Sequence, residues 1–274
     1  MNRPGWRGVH DVARALVAGA IVWLTAGGLG LAAEPVPDTL WDEPAFALYR
    51  RAVDAFRRQD YAEASRLAEQ AIARYPDHVL AHYLLGQAAL ATSRWEAAAA
   101  AFANVVERYP GALAARRDLG TALAQLGRTE DAARAWEAVL AQRPDADEVR
   151  LRLAFLLLQA GRADRAEPHL VRLAEQGSTV PEVWTALARL RYERGELPAS
   201  EAAFRRAAEL RDDGRTWFNL GVVRLRLDDR PGALAAFERA ARHPDTREQA
   251  ETQIKALSAA GPPERRQEKA GKRR

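Results

Sequence analysis

The sequence contains no cysteine, and this absence excludes several kinds of chemistry at once. Without thiols, the chain cannot form disulfides, use a thiol as a nucleophile or bind a metal through thiolates. A bacterial lipoprotein needs a cysteine after its signal peptide, so lipid attachment of that type is excluded as well. The sequence also lacks a G-x-S-x-G motif, a phosphate-binding glycine loop and a dinucleotide fingerprint. We therefore nominate no catalytic residue and expect no cofactor.

The chain also lacks a strong charge of one sign over most of its length. Its 274 residues carry a net charge of +4, from 41 basic and 37 acidic residues. The last eleven residues alone hold six basic and two acidic residues. A nucleic-acid-binding protein needs a basic face on its folded body, so nucleic acid is not an expected partner. Residues 261–274 are predicted to be a disordered basic tail, which either is solvated or contacts anionic lipid headgroups.

Residues 1–33 have the pattern of a secretory signal peptide. Three arginines precede an uncharged, largely apolar run of nineteen residues, 15–33, which ends in small residues before Glu34. This pattern predicts export to the periplasm with cleavage after Ala33. The alternative is an uncleaved anchor in the inner membrane, because nineteen residues can just span a bilayer. Residues 34–44, with three prolines and four acidic residues, are interpreted as a linker.

From residue 45 onward, one pattern occurs six times, at steps of 34 residues and a last step of 33. A small residue marks the first half of each copy, at Ala52, Gly86, Gly120, Ala154, Ala188 and Gly221. A second small residue follows, at Ala64, Ala98, Ala132, Ala166, Ser200 and Ala233. A third position is mostly large and apolar, at Ala68, Phe102, Trp136, Leu170, Phe204 and Phe237. Small residues let neighbouring helices approach closely, and the large third residue is predicted to fill the gap between repeats.

The second and third copies carry this pattern in its clearest form. The order L-G…A-x3-F…P is present from Leu85 to Pro110, and again from Leu119 to Pro144 with Trp136 in place of Phe. This order resembles the tetratricopeptide repeat. The resemblance implies an all-α fold, a right-handed α-solenoid of about six helix-turn-helix repeats. We predict six repeats, at 45–78, 79–112, 113–146, 147–180, 181–213 and 214–244. A capping helix is predicted to follow them at 245–260.

Glycine and proline predict where the helices of these repeats begin and end. Gly127, Gly161 and Gly195 stand where a first helix must turn left-handed to stop. Pro168 lies deeper in a predicted second helix than the other prolines do. We therefore expect that helix to start late or to kink.

The nearest approach to a metal site is the pair His78 and His82, four residues apart. Two histidines at this spacing can share a helix face and bind a metal. However, His78 falls in the junction before the helix, and no glutamate follows it. His82 occupies the repeat position of Trp184 and Trp217, which indicates a core residue. We therefore predict no metal site.

The candidate binding site follows from helix geometry and from the resemblance. In each first helix, positions 2, 5, 9 and 12 cluster about a third of a turn away from the core face. In tetratricopeptide arrays this second face lines the concave groove that binds partner peptides. The resemblance therefore assigns partner binding here to Tyr49, Val53, Tyr83, Gln87, Arg117, Thr121, Leu151, Phe155, Arg189, Phe218 and Val222.

Two further observations bear on this groove. Some relatives bind a C-terminal carboxylate with Lys and Asn on this face, and the present sequence lacks that set. Apolar residues beside Arg117 and Arg189 instead suit an amphipathic helix or an extended apolar peptide. The alternative is that the chain's own linker, with Trp41, covers the part of the groove in the first repeat.

These features together predict a non-enzymatic scaffold outside the cytoplasm. Its expected partner is a peptide or amphipathic helix of an envelope protein, in envelope assembly or maturation. Two alternatives stay open: an accessory subunit of an envelope enzyme complex, and a membrane-tethered spacer that self-associates.

Overall fold

The structure is a computed structural model, and it describes residues 44–259. Every regular element in this range is an α-helix, so the predicted all-α class is confirmed. In chain order the helices are α1 (Pro44–Arg57), α2 (Tyr61–Arg74), α3 (Val79–Ala91), α4 (Trp95–Arg108), α5 (Leu113–Gln125), α6 (Thr129–Gln142), α7 (Asp147–Gln159), α8 (Ala163–Glu175), α9 (Pro181–Glu193), α10 (Leu197–Leu210), α11 (Gly214–Arg226), α12 (Arg230–Ala240) and α13 (Arg247–Ala259). The predictions for the signal peptide, for the linker apart from Pro44, and for the basic tail lie outside the described residues.

The helices form two compact units. The first unit contains α1 to α7 and ends at Arg162, and the second begins at Ala163 and contains α8 to α13. The boundary falls between the two helices of the predicted fourth repeat, 147–180. At the C-terminal end, α13 lies within the predicted capping helix and buries Ala250 while most of its other residues stay exposed or half-buried.

Each turn from a first helix to a second helix contains a residue with positive φ. These residues recur at nearly constant spacing, with φ between 56° and 78°, at Gln59, Ser93, Gly127, Gly161, Gly195 and Asp228. The left-handed stop predicted at the three glycines is confirmed. The other three turns adopt the same conformation without glycine, at a cost of roughly 1–2 kcal/mol each.

The small and large residues of the repeat pack against each other within one helix pair. A methyl group added at Gly86 would lie 2.7 Å from the ring of Phe102, and one added at Gly221 would lie 2.7 Å from the ring of Phe237. Both rings are fully buried. The large residue therefore fills the space over the small residue of its own repeat, and the small residue is required because the ring rests on the helix backbone.

Pro168 does not delay the start of its helix. Helix α8 begins at Ala163, in step with the other second helices, and contains Pro168 as its sixth residue. The predicted late start is wrong. The missing N–H removes the bond to the carbonyl of Asp164, and the proline ring crowds that carbonyl. The alternative expectation, a kink in α8, stays a prediction.

A hydrogen bond recurs where one helix pair follows another. In four first helices, the fourth residue donates a side-chain N–H to the backbone carbonyl six residues earlier. The donor and acceptor pairs, at 2.6–2.9 Å, are His82 with Pro76, Arg116 with Pro110, Arg150 with Pro144, and Trp184 with Ser178. These bonds tie each of these four helices to the junction that precedes it.

His78 and His82, the two histidines four residues apart, both have structural roles. Nδ1 of His78 accepts a hydrogen bond from the backbone N–H of Ala81 at 3.2 Å and so caps α3. His82 is half-buried and bonds the Pro76 carbonyl. The described residues contain no cluster of His, Asp or Glu that could hold a metal ion.

Candidate functional site

The eleven predicted groove residues differ in how far they are exposed. In the first unit, Tyr49 and Tyr83 are buried. The other members of that unit are half-buried: Val53, Gln87, Arg117, Thr121, Leu151 and Phe155. In the second unit, Arg189 is exposed, and Phe218 and Val222 are half-buried.

The two tyrosines are core residues of the first unit in this structure, not groove residues. Tyr83 is 0% exposed, and its ring packs edge-on against Phe102 with centroids 5.6 Å apart. The ring of Tyr49 lies 5.1 Å from that of His78, and burial raises the pKa of the Tyr49 hydroxyl to about 12. Side chains this deep cannot contact a partner. The role of the remaining nine residues stays a prediction.

Tyr83 also belongs to a polar network centred on Asp118, a residue that sequence reasoning missed. Tyr83 donates its hydroxyl proton to Oδ2 of Asp118 at 3.2 Å, and Nε2 of Gln87 donates to the same oxygen at 2.5 Å. Nε of Arg117 donates to Oδ1 at 2.8 Å. Asp118 is only 6% exposed, and both of its oxygens are occupied. The network therefore ties α3 to α5, and the carboxylate of Asp118 has no free oxygen to offer a ligand.

The second unit contains an open pocket on the corresponding face. Its volume is about 170 Å³. It is lined by Arg189, Tyr192 and Glu193 of α9, Phe204 of α10, and Asn219, Val222 and Val223 of α11. Sequence reasoning placed Arg189 and Val222 in the binding face, and the structure brings these two together. It missed Glu193 and Asn219, because neither occupies one of the four positions assigned to the groove.

Three of the four polar side chains that line this pocket lack partners among the described residues. Within the described residues, the side chains of Arg189, Glu193 and Asn219 form no hydrogen bond or ion pair. Tyr192 is engaged, because its hydroxyl accepts a hydrogen bond from Nη1 of Arg226 at 3.2 Å. The guanidinium of Arg226 also lies 5.3 Å from the centre of the Tyr192 ring. A ligand in the pocket would therefore find one cation, one anion and one amide ready to pair.

The repeat register explains why the pocket is open in one unit and closed in the other. Asn219 and Asp118 are both the sixth residue of a first helix, and Phe204 occupies the repeat position of Phe102. In the first unit, Tyr83 fills the space between such a pair. The residue at its position in α9 is Thr185, whose shorter side chain bonds the carbonyl of Pro181 at 3.1 Å.

The structure offers binding groups more clearly than catalytic ones. The pocket brings together no nucleophile with an adjacent base, and its three free polar side chains are suited to recognition. None of the described helices is long and apolar enough to cross a membrane.

Models of one repeat family match most of the folded chain. A tetratricopeptide repeat model matches residues 123–190, and a second tetratricopeptide repeat model matches residues 49–112 and 185–251. No curated protein matches the sequence.

Solved structures of such proteins share the fold at low sequence identity. YrrB, described as a TPR protein with an unusual peptide-binding site, is 17% identical, with a TM-score of 0.58 over 69% of this chain and 97% of that one. MamA of AMB-1 is 21% identical, with a TM-score of 0.55 over 60% of this chain and 90% of that one. PilF of Pseudomonas aeruginosa is 16% identical, with a TM-score of 0.54 over 80% of this chain and 99% of that one. These likenesses show an all-α solenoid of helix-turn-helix repeats.

Proposed function

Because this chain belongs to the tetratricopeptide repeat family, we propose that it is a non-enzymatic scaffold that binds a segment of a protein partner. Proteins of this fold typically act as interaction modules. The observation that carries the proposal is the pocket between α9 and α11. There, two predicted groove residues, Arg189 and Val222, meet two further unpaired polar side chains, Glu193 and Asn219. The peptide-binding site described for YrrB supports the same kind of ligand.

The size of the pocket favours a protein segment over a small molecule. Pockets for drug-sized ligands have volumes of about 300–1,000 Å³, whereas this pocket measures about 170 Å³. Such a volume suits a single side chain of a partner. The rest of the partner would then lie along the half-buried first-helix residues, of which Phe218 belongs to the same unit.

We place this scaffold outside the cytoplasm, in the assembly or maturation of the bacterial envelope. The support is the sequence pattern of residues 1–33. N-terminal sequencing of the protein from the envelope fraction tests it, and a chain that begins at Glu34 is expected. A chain that retains Met1 in the membrane pellet would indicate the anchor instead, and a soluble cytoplasmic pool would exclude both.

The binding role is tested by comparing partner capture by the wild type and by a pocket variant. The full chain and an Arg189→Glu, Val222→Asp variant are immobilised and incubated with envelope extract, and retained proteins are identified by mass spectrometry. We expect at least one protein to be retained by the wild type and lost by the variant. Arg242→Glu, which changes an exposed arginine outside the pocket, is the control. Retention of the same proteins by all three chains would show that the pocket does not bind the partner.

A further inference from the structure

We infer that the pocket of the second unit accepts a tyrosine side chain from the partner, with a carboxylate of a neighbouring partner residue placed against Arg189. The inference rests on the proposed function and specifies the chemistry of the partner. It follows from comparing equivalent positions of the two units, one of which contains its own tyrosine.

The first unit shows what the pocket is shaped to hold. There, Tyr83 packs its ring against Phe102 and donates its hydroxyl proton to Asp118 at 3.2 Å. Gln87, one turn further along α3, donates to the same hydroxyl at 3.1 Å. All three contacts of Tyr83 therefore come from positions that have counterparts in the second unit.

These counterparts line the pocket, whereas the counterpart of the tyrosine is a much smaller residue. Phe204, Asn219 and Arg189 stand at the repeat positions of Phe102, Asp118 and Gln87. Thr185 stands at the position of Tyr83 and does not line the pocket. The second unit thus keeps the aromatic residue and the polar residue of this arrangement, but a threonine stands at the position of the tyrosine. The ring of Tyr192, from another repeat position, also lines the pocket.

The lining residues provide a fitting partner for each part of a tyrosine. Phe204 and Val223 are almost completely buried and form a fixed apolar wall for the ring. The side-chain oxygen of Asn219 can accept the hydroxyl proton, as a carboxylate oxygen of Asp118 does in the first unit. An aromatic side chain with a polar tip matches a site that is apolar on one side and polar at one end.

The charges at the rim indicate an acidic residue beside the tyrosine. Arg189 is exposed and unpaired in the described residues, and Arg226 is held on Tyr192. Glu193 lies four residues beyond Arg189 on α9 and would repel a carboxylate placed on its side of the pocket. The acidic residue should therefore lie towards Arg189 and away from Glu193.

A selection from a random peptide library tests this chemistry. The peptides are displayed as internal segments, so that no free carboxyl terminus takes part, and the full chain is the target. Wild-type protein should enrich peptides with Tyr next to Asp or Glu. Replacing that tyrosine by alanine should weaken binding at least about tenfold in fluorescence anisotropy, because the ring is buried on binding.

Three pocket variants and one control are expected to change peptide binding in different ways. Thr185→Tyr copies the first unit, so it should fill the pocket, abolish enrichment and keep or raise the melting temperature. Arg189→Glu should keep the aromatic preference but select Lys or Arg in place of the acid. Glu193→Lys should strengthen binding of the acidic peptides about two- to fivefold, a gain that misfolding cannot produce. Arg242→Glu, outside the pocket, should select the same peptides as the wild type.

Each contrary result has a distinct meaning. Selected peptides that bind Thr185→Tyr as tightly as the wild type would overturn the inference but leave the scaffold function standing. If no peptide is enriched by the wild type, peptide binding itself fails, and the inference fails with it. A synthetic peptide of residues 34–43, which contains Trp41 beside Asp42, is the last probe. If it outcompetes every selected peptide on the wild type, the pocket belongs to the chain's own N-terminal segment and not to a partner.

Discussion

The buried imidazole of His78 should make the first unit sensitive to mildly acidic pH. His78 is only 3% exposed and lies among the rings of Phe46, Tyr49 and Tyr75. Its Nδ1 accepts the capping hydrogen bond of α3, so its proton is on Nε2, which has no acceptor among the described residues. Burial lowers the pKa of His78 from 6.5 to about 4, because the folded state disfavours the charged form.

The size of the effect follows from this pKa difference. Below pH 6.5 the unfolded chain binds a proton at His78 that the folded chain refuses until the pH approaches 4. Stability from this residue is therefore present above pH 6.5 and is lost as the pH falls towards 4. Linkage gives a loss of about 2 kcal/mol between pH 7.5 and pH 5.

The assay compares the wild type with His78→Asn across this pH range. Asparagine keeps the helix cap but does not titrate. Urea unfolding followed by circular dichroism gives the free energy of unfolding of each protein at each pH. The contributions of titratable groups that both proteins share cancel when the two free energies of unfolding are subtracted. These groups include His82, whose pKa is also lowered by burial. Between pH 7.5 and pH 5, the free energy of unfolding of the wild type should fall by about 2 kcal/mol relative to that of the variant. A difference that does not change with pH would refute the reasoning.

Five further substitutions test three other features of the fold, each by thermal or urea unfolding. Ser93→Gly should stabilise the chain by about 0.5–1 kcal/mol, because it relieves a positive φ in a turn, and Gly127→Ala should destabilise it by about 1 kcal/mol for the reverse reason. Equal effects of the two would contradict this. Gly86→Ala should cost about 1–3 kcal/mol, since its new methyl group meets a buried ring at 2.7 Å; a neutral result would show that the ring can move aside. Asp118→Ala should cost about 1–3 kcal/mol, because the buried Tyr83 hydroxyl loses its acceptor, and Asp118→Asn, which keeps an acceptor oxygen, should cost less.

The repeat period was sufficient to predict the helices and many of their ends. A spacing of 34 residues, with one step of 33, predicts a pair of helices in each repeat, and glycine at a helix end marks the left-handed turn. The same spacing did not show that Gln59, Ser93 and Asp228 adopt that conformation, because their side chains do not require it. For Pro168 only the predicted late start was wrong, because the helix begins at Ala163 despite the proline.

The binding face was harder to predict than the fold. Counting around a helix gives the direction of a side chain, but not the distance to the next helix. Tyr83 points towards α5 and is long enough to reach Asp118, so it is buried, whereas Thr185 at the same repeat position is too short to close the space. Asn219 escaped notice because it stands beside the core residue Leu220, at a position assigned to no face. Only the contacts between repeats distinguish a buried residue from one that lines an open pocket.

The recurring hydrogen bond from the fourth residue of a first helix has a consequence for protein engineering. Histidine, arginine and tryptophan share only an N–H that reaches the same carbonyl, so this position is defined by a donor group and not by a residue type. The acceptor, Pro76 in the case of His82, lies in the preceding repeat as the sequence divides it. A module cut at 79–112 would leave its acceptor behind, whereas one cut at 76–109 carries donor and acceptor together. The unit that can be duplicated or transplanted is therefore offset by three residues from the unit that the sequence pattern suggests.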